Sequence, residues 1–338
     1  MISLSKIKLI IKKSENPLIF FDDDPDGLCS YLQIKKYFNK GSGCVIKSSP
    51  TLDESYAKKV EEYSPDLVII LDKPILSQEF VDRVNVPIIW IDHHPPVVIK
   101  GVHYFNPLLK NEEPFPVSYW CYRLTKKFLW IGTVGSVADF SLVTMKKFNK
   151  KFPDLKSEYD DPAKILYNTK LGRLVDIFFS ILKDPHYKVM QYVNLLEKID
   201  SPDELLENTS KYSNEIINIY ERMKRKYDAI LEKAVSEMNG DSRVASFLYS
   251  AGRISFTPEL STNLLYMFPS KIIIVGRVTD GRVKMSLRSK NVKLPELINK
   301  SMDGLDGYGG GHDYACGGNI SQSDFSEFKS RLETYLKN

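Results

Sequence analysis

Short apolar runs, each closed by an acidic residue, punctuate the first third of the chain. Leu18-Ile19-Phe20-Phe21 leads into Asp22, Leu67-Val68-Ile69-Ile70-Leu71 into Asp72, and Ile88-Ile89-Trp90-Ile91 into Asp92. Continuous apolar runs of this length between polar residues predict buried parallel strands. Cys44-Val45-Ile46-Lys47, after the Gly41-Ser42-Gly43 turn, predicts a further strand, and Ser55–Tyr63 is helical in character. The alternation is that of βαβ units. Pro116–Leu129 predicts a helix with proline near its start. Gly132–Ala138, closed by Asp139, fits a strand or a helix, and its small residues point to close packing.

The texture changes at Thr144. Strand signals fade up to about Asn239, and Ile216, Ile217, Tyr220, Met223 and Tyr227 stand at helical spacing within a long amphipathic helix, Asn214–Met238. Gly240-Asp241 reads as its C-terminal stop. Beyond it, Lys271–Val275 and Val283–Arg288 predict a hairpin around Asp280-Gly281, Val292–Asn299 a short helix, and Ser323–Lys337 a charged terminal helix. The pattern predicts an α/β protein: an N-terminal parallel-sheet domain with a helical extension (1–212), a linker helix (213–242) and a smaller C-terminal α/β domain (243–338). The long helix is read as a connector or as an oligomer contact.

Composition narrows the class. An apolar fraction of 43% in 338 residues is ample for packed cores and argues against disorder. A net charge of +4 is too weak to identify a nucleic-acid partner by itself. Cys29, Cys44, Cys121 and Cys316 are widely spaced and form neither a zinc framework nor a disulfide scaffold, which fits a reduced, cytoplasmic setting. No apolar stretch reaches the roughly 20 residues that span a bilayer, and Met1–Lys13 lacks a signal-peptide core.

The candidate chemistry lies at the strand ends. Asp22-Asp23-Asp24-Pro25-Asp26-Gly27 has the residues of a strand-to-helix turn with a capping aspartate. Four aspartates in five positions nevertheless repel one another unless a cation sits among them. In Asp92-His93-His94, adjacent histidines at a strand end cannot both point into a core, and imidazole is a common metal ligand with its tautomer fixed by a neighbouring carboxylate. Asp72 closes a clean strand, and ligands of open α/β sheets bind beyond such ends. Gly309-Gly310-Gly311-His312 could present backbone N–H groups as an anion nest, or be a flexible turn. Lys146-Lys147-Phe148-Asn149-Lys150-Lys151-Phe152 interleaves bases with rings: either a single-strand contact or a solvated helix face with its rings packed inward.

The order Asp-x-Asp-x-Asp-Gly, strand-end Asp72, Asp92-His93-His94, Gly135-Ser136-Val137-Ala138-Asp139 and Gly309-Gly310-Gly311-His312 followed by Ala315-Cys316-Gly317-Gly318 resembles the DHH phosphoesterases and their DHH-associated domain. The resemblance covers both ends of the chain and leaves the central helices unmatched. Within the family it is most similar to RecJ-like exonucleases, in size to compact archaeal members of the Hef-associated nuclease type. It implies two divalent cations, manganese favoured over magnesium, held by Asp24, Asp26, Asp72, His93 and Asp139. Asp22 is a further candidate ligand, and Asp92, His93 and His94 are candidate catalytic residues. Arg288, Gly309, Gly310, Gly311 and His312 would grip the substrate phosphate. One departure is Phe20, where many members carry histidine. The implied activity is hydrolysis of single-stranded DNA or RNA from an end, 3′ to 5′ favoured, in repair or replication and with possible protein partners. A phosphodiesterase for very short or cyclic substrates and a non-catalytic replication scaffold are the alternatives.

Overall fold

The computed structural model describes residues 2–47, 51–238, 240, 242–250 and 254–336. They form two compact units, Met1–Glu221 and Arg222–Asn338. Among the described residues no helix is long and apolar enough to cross a membrane.

The first unit is built on strands β1 (Pro17–Asp22), β2 (Ser42–Ile46), β4 (Leu67–Leu71), β6 (Ile88–Ile91) and β7 (His103–Phe105). A separate short parallel ladder joins β3 (Thr51–Leu52) to β5 (Ile75–Leu76). The main sheet is parallel in the order β2-β1-β4-β6-β7. The chain therefore steps from β1 outward to β2, then crosses to the other side of β1. Crevices at such reversals, beyond the carboxyl ends of the strands, are where open α/β sheets bind ligands. Register sharpens the point. Phe21 pairs with Leu71 and Leu71 with Ile91, so Asp22, Asp72 and Asp92 follow one residue on from three paired positions.

Alternation along the strands explains the burial. Ile19, Phe21, Ile69 and Ile89 enter one core, whereas Leu18, Phe20, Val68, Ile88 and Trp90 enter the other. Both sheet faces are covered, as all-parallel sheets require. Phe20 is wholly buried and meets Tyr56 and Phe80 edge to face.

One sequence expectation needs correction, and two readings left open are decided by the structure. The Pro116–Leu129 stretch is not one helix: Val117–Thr125 ends at Lys126, which is left-handed, and after Phe128, also left-handed, a new helix runs from Leu129 to Ala138. Gly132–Ala138 is thus helical, and its glycines let the helix pack closely: a Cβ at Gly135 would lie 2.6 Å from Ser118 Oγ. Lys146–Phe152 forms the helix Met145–Lys151, with Phe148 wholly buried and its ring 5.0 Å from that of Phe152, so these rings pack inward and the lysines face solvent.

The long helix runs from Lys211 to Glu237. Its Ile216, Ile217 and Tyr220 belong to the core of the first unit and Ala234 to a core of the second. Gly240 lies in a bend; Asp241, its expected companion in the stop signal, is outside the described residues.

In the second unit, β8 (Val244–Tyr249), β9 (Ile272–Thr279), β10 (Arg282–Arg288), β11 (Gly307–His312) and β12 (Ala315–Ser321) form a mixed sheet ordered β11-β12-β10-β9-β8. Asp280 and Gly281, both at positive φ, make the β9–β10 hairpin turn. The helices Leu294–Met302 and Phe325–Tyr335 bring Ile298 and Phe328 onto one face of the sheet, and Leu260 of the helix Thr257–Met267 packs on the other. The expected terminal helix is confined to Phe325–Tyr335; Lys337 lies outside the described residues.

Candidate metal centre

The loop after β1 carries the aspartates into the start of the helix Pro25–Phe38. Asp24 caps that helix, accepting the Gly27 N–H at 2.8 Å, with Pro25 in the first turn. Glycine is required at 27 because a Cβ there would meet the Asp22 backbone nitrogen and oxygen at 2.7 Å. Asp26 is buried and points away from the turn: its carboxylate accepts the N–H groups of Val117 and Ser118 at 2.6 and 3.0 Å. One turn thus supplies a cap for two helices.

Asp72 follows β4 at φ 61°, a left-handed position that aspartate tolerates better than most residues. It is 2% exposed, and its Oδ1 has no hydrogen-bond partner. Facing it at 3.4 Å is His93 Nε2. The opposite ring nitrogen, Nδ1, lies 3.0 Å from the Pro114 carbonyl. A carbonyl only accepts, so Nδ1 carries a proton and donates it there, which leaves Nε2 as the nitrogen turned to Asp72. A buried carboxyl oxygen without a hydrogen-bond partner and an imidazole nitrogen then confront each other at 3.4 Å. A cation between them would satisfy both.

More donors converge there. Asp139 Oδ2 is 3.7 Å from His93 Nε2. Ligand atoms of Asp72, His93 and His94 lie within 4.8 Å of one another, as do those of Asp26, His93 and Asp139. This mixed carboxylate and imidazole set fits a divalent transition ion. Asp139 reaches the group from the C-terminus of the helix Leu129–Ala138 rather than from a strand.

Asp92 and His94 form a second pair. Asp92 is fully buried and accepts His94 Nδ1–H at 2.8 Å, the His94 backbone N–H at 3.1 Å and Asn106 Nδ2 at 3.3 Å. Asp92 therefore orients an imidazole and lies outside the donor groups. Asp22, a candidate ligand from the sequence, also stands outside them: its Oδ1 is 2.8 Å from the ammonium of Lys73. Sequence reasoning missed Lys73, the Lys47–Asp23 pair at 2.8 Å and the Asn106 brace of Asp92. Nothing in residue spacing marks a lysine as buried, although its position directly after a strand-end aspartate was visible.

The crowding is legible in the acid–base behaviour. Burial, with the charges of Asp26 and Asp24 next, holds the Asp72 carboxyl well above the usual range. Burial does the same to Asp24, reinforced by Asp22 and Asp26. Asp139 is pushed up to about 7 by the protein packed around it and by Asp26, opposed by His93 and His94, although 41% of its side chain is open to solvent, which softens the shift. Asp23 is raised to about 6 by burial despite Lys47. For His94, burial lowers the value, but the hydrogen bond and charge of Asp92 outweigh it and leave the ring more basic than usual.

The other candidate residues lie in the second unit. Gly309, Gly310, Gly311 and His312 belong to β11, an extended strand at the sheet edge rather than a turn or a nest. Gly309, Gly310 and Gly311 pair with Gly318, Gly317 and Cys316, so most of this corner is bare backbone. Gly311 has φ 146°, and a Cβ there would lie 2.7 Å from the Ala315 carbonyl oxygen. Tyr308 and His312 are exposed on this strand. Arg288 ends β10, paired with Ala315, and its guanidinium donates to the carbonyls of Leu287 at 2.9 Å and Cys316 at 3.3 Å.

Comparison with known proteins agrees with this layout. Residues 16–154 match the DHH family, N-terminal domain, and residues 252–338 the DHHA1 domain, together about two thirds of the chain. No curated protein matches it. Among solved structures it is similar to RecJ in complex with Mn²⁺ from Thermus thermophilus, at 16% identity and TM-score 0.72, over 99% of this chain and 54% of that one. The chain thus spans about half the length of that relative. A structure of exonuclease RecJ bound to manganese matches at 14% identity and TM-score 0.67, over 100% of this chain and 95% of that one. The pGpG-specific phosphodiesterase PggH from Vibrio cholerae matches at 12% identity and TM-score 0.52, over 96% and 99% of the two chains. Such identities speak to the fold; the two domain matches speak to descent. The chain belongs to the DHH phosphoesterase superfamily, carries its DHH and DHHA1 domains, and has a RecJ-like fold.

Proposed function

We propose that this chain is a divalent-metal-dependent phosphodiesterase that removes mononucleotides from the end of single-stranded DNA or RNA, with manganese as the favoured ion and 3′ to 5′ as the favoured direction, in the manner of the compact archaeal Hef-associated nucleases. The observation that carries the reading is the pair His93 Nε2 and Asp72 Oδ1, 3.4 Å apart, the oxygen buried and without a hydrogen-bond partner. His93, Asp72, Asp26 and Asp139 hold the ion or ions, and Asp24 lends charge from the helix cap. The bound metal lowers the pKa of a water and neutralises charge developing on the phosphoryl oxygens.

The remaining residues position and transfer protons. Asp92 binds His94 Nδ1–H and leaves Nε2 outside that bond. A ring kept basic by that bond suits donation to a phosphate oxygen or leaving group. In the second unit, Arg288 and His312 offer donors, and the glycine backbone of β11 admits a phosphate closely. A cytoplasmic setting suits the four buried free thiols.

End-labelled DNA and RNA strands of graded length, incubated with manganese, test the proposal. Single nucleotides released progressively from long strands support it. Cleavage confined to dinucleotides or cyclic dinucleotides moves the assignment to short-substrate phosphodiesterases. Intact manganese binding without any cleavage favours a scaffold.

A further inference from the structure

His93 has one nitrogen to offer an ion, because Nδ1 faces the Pro114 carbonyl. Both donor groups, Asp72–His93–His94 and Asp26–His93–Asp139, include His93, and Nε2 is the atom that faces Asp72 at 3.4 Å and Asp139 at 3.7 Å. An ion that takes Nε2 leaves any second ion to depend on the carboxylates farther along the β1 loop. On that side the fittings differ from a bare acidic pocket. Asp24 Oδ1 is engaged with the Gly27 N–H. Position 20, where the resemblance would put a histidine, is Phe20, buried in the apolar core. Asp22 Oδ1 is 2.8 Å from the ammonium of Lys73.

Lys73 is 0% exposed and ranks among the bulkiest wholly buried side chains. Lysine is almost never fully buried unless its charge is matched. Here it sits next in sequence to Asp72 and against the carboxylate that opens the Asp-x-Asp-x-Asp-Gly motif. A fixed positive charge at that place does two things. It holds Asp22 in an ion pair, and it repels a divalent ion approaching the same carboxylates.

We propose that Lys73 is a resident counter-cation that weakens the second of the two ion positions, so that the resting protein holds one ion tightly at His93 and a second only weakly. The proposal rests on the metal-dependent reading given above. It assigns Lys73 a positioning role, acting through Asp22 and through charge.

Manganese titration of the full chain, with free ion followed by electron paramagnetic resonance, tests it without any substrate. Wild type should bind one ion per chain tightly and a second more than about tenfold more weakly. Lys73→Met should strengthen the second binding by more than about tenfold, and Lys73→Arg, which keeps the charge, should leave it weak. Circular dichroism melts establish that each variant is folded. Two ions of equal affinity in wild type would overturn the proposal even if neither variant folded. A folded Lys73→Met that binds the second ion no better than wild type would overturn it as well. Wild type that binds no manganese would instead fail the metal-dependent reading itself, and this proposal with it.

Discussion

The carboxylate of Asp26 accepts the backbone N–H of Val117 at 2.6 Å, and so ties the helix Pro25–Phe38 to the start of the helix Val117–Thr125. A negative group at a helix N-terminus satisfies orphan donors and complements the helix dipole. Asp26 therefore has structural work independent of any ion. Asp26→Ala should cost about 2–4 kcal/mol in metal-free protein, as two buried N–H groups lose their acceptor. Urea denaturation in chelator measures this; an unchanged midpoint would refute the capping role.

Asp72 should behave in the opposite way. Its buried Oδ1 has no hydrogen-bond partner and its carboxyl is held well above the usual range. Asp72→Asn removes a charge that the metal-free protein tolerates poorly, so metal-free stability should hold or rise by about 1 kcal/mol. The thermal shift that manganese gives wild type should disappear, and cleavage should fall on the order of 100-fold or more. A variant that keeps the manganese shift would remove Asp72 from the donor set.

Stability and pH follow from the crowded carboxylates. Asp139, raised to about 7, and Asp24 and Asp72, raised well above the ordinary range, keep protons in the native chain that the unfolded chain has released. The folded values exceed the unfolded ones, so metal-free stability is greatest at low pH and is lost as pH rises from about 4 through about 7. Manganese should reverse the trend, stabilising most above pH 7 and least near pH 5, where protons compete for the same oxygens. Melting curves across this range, with and without manganese, check the sign. A metal-free melting temperature that climbs from pH 5 to 8 would contradict it.

His94 depends on Asp92 for its orientation and proton. Asp92→Asn frees the ring and offers an amide in place of the carboxylate. Cleavage should drop about 10–100-fold, while the manganese affinity at His93 changes far less. Equal losses of binding and turnover would make Asp92 a structural support of the ion instead.

The glycine strand separates packing from binding. A Cβ at Gly309 would lie 2.8 Å from Ile298 Cγ2, whereas nothing lies within 4 Å of one at Gly310. Gly309→Val should therefore destabilise the protein by about 1–3 kcal/mol. Gly310→Val should leave the melting temperature nearly unchanged and weaken oligonucleotide binding. Unaltered binding by Gly310→Val would argue against substrate contact at this strand.

Much of the first sheet was legible because buried parallel strands are continuous apolar runs, and Asp22, Asp72 and Asp92 end three of them. Asp139 was harder, because Leu129–Ala138 is apolar all round and so lacks the period that separates helix from strand. The strand β11 was misread because glycine carries no side-chain pattern; its extended form comes from pairing with β12. Lys73 and Lys47 were missed since a long-range ion pair leaves no local trace. The resemblance placed Asp22 among ligands, and only the three-dimensional arrangement shows its carboxylate against a lysine.

The account turns on a cation between His93 and Asp72. Anomalous diffraction at the manganese edge, from crystals grown with the metal, tests this most directly. The account predicts a strong peak within about 2.0–2.4 Å of both His93 Nε2 and Asp72 Oδ1. Full-length protein crystallised in excess manganese with no peak there, and the ring of His93 turned from Asp72, would contradict it.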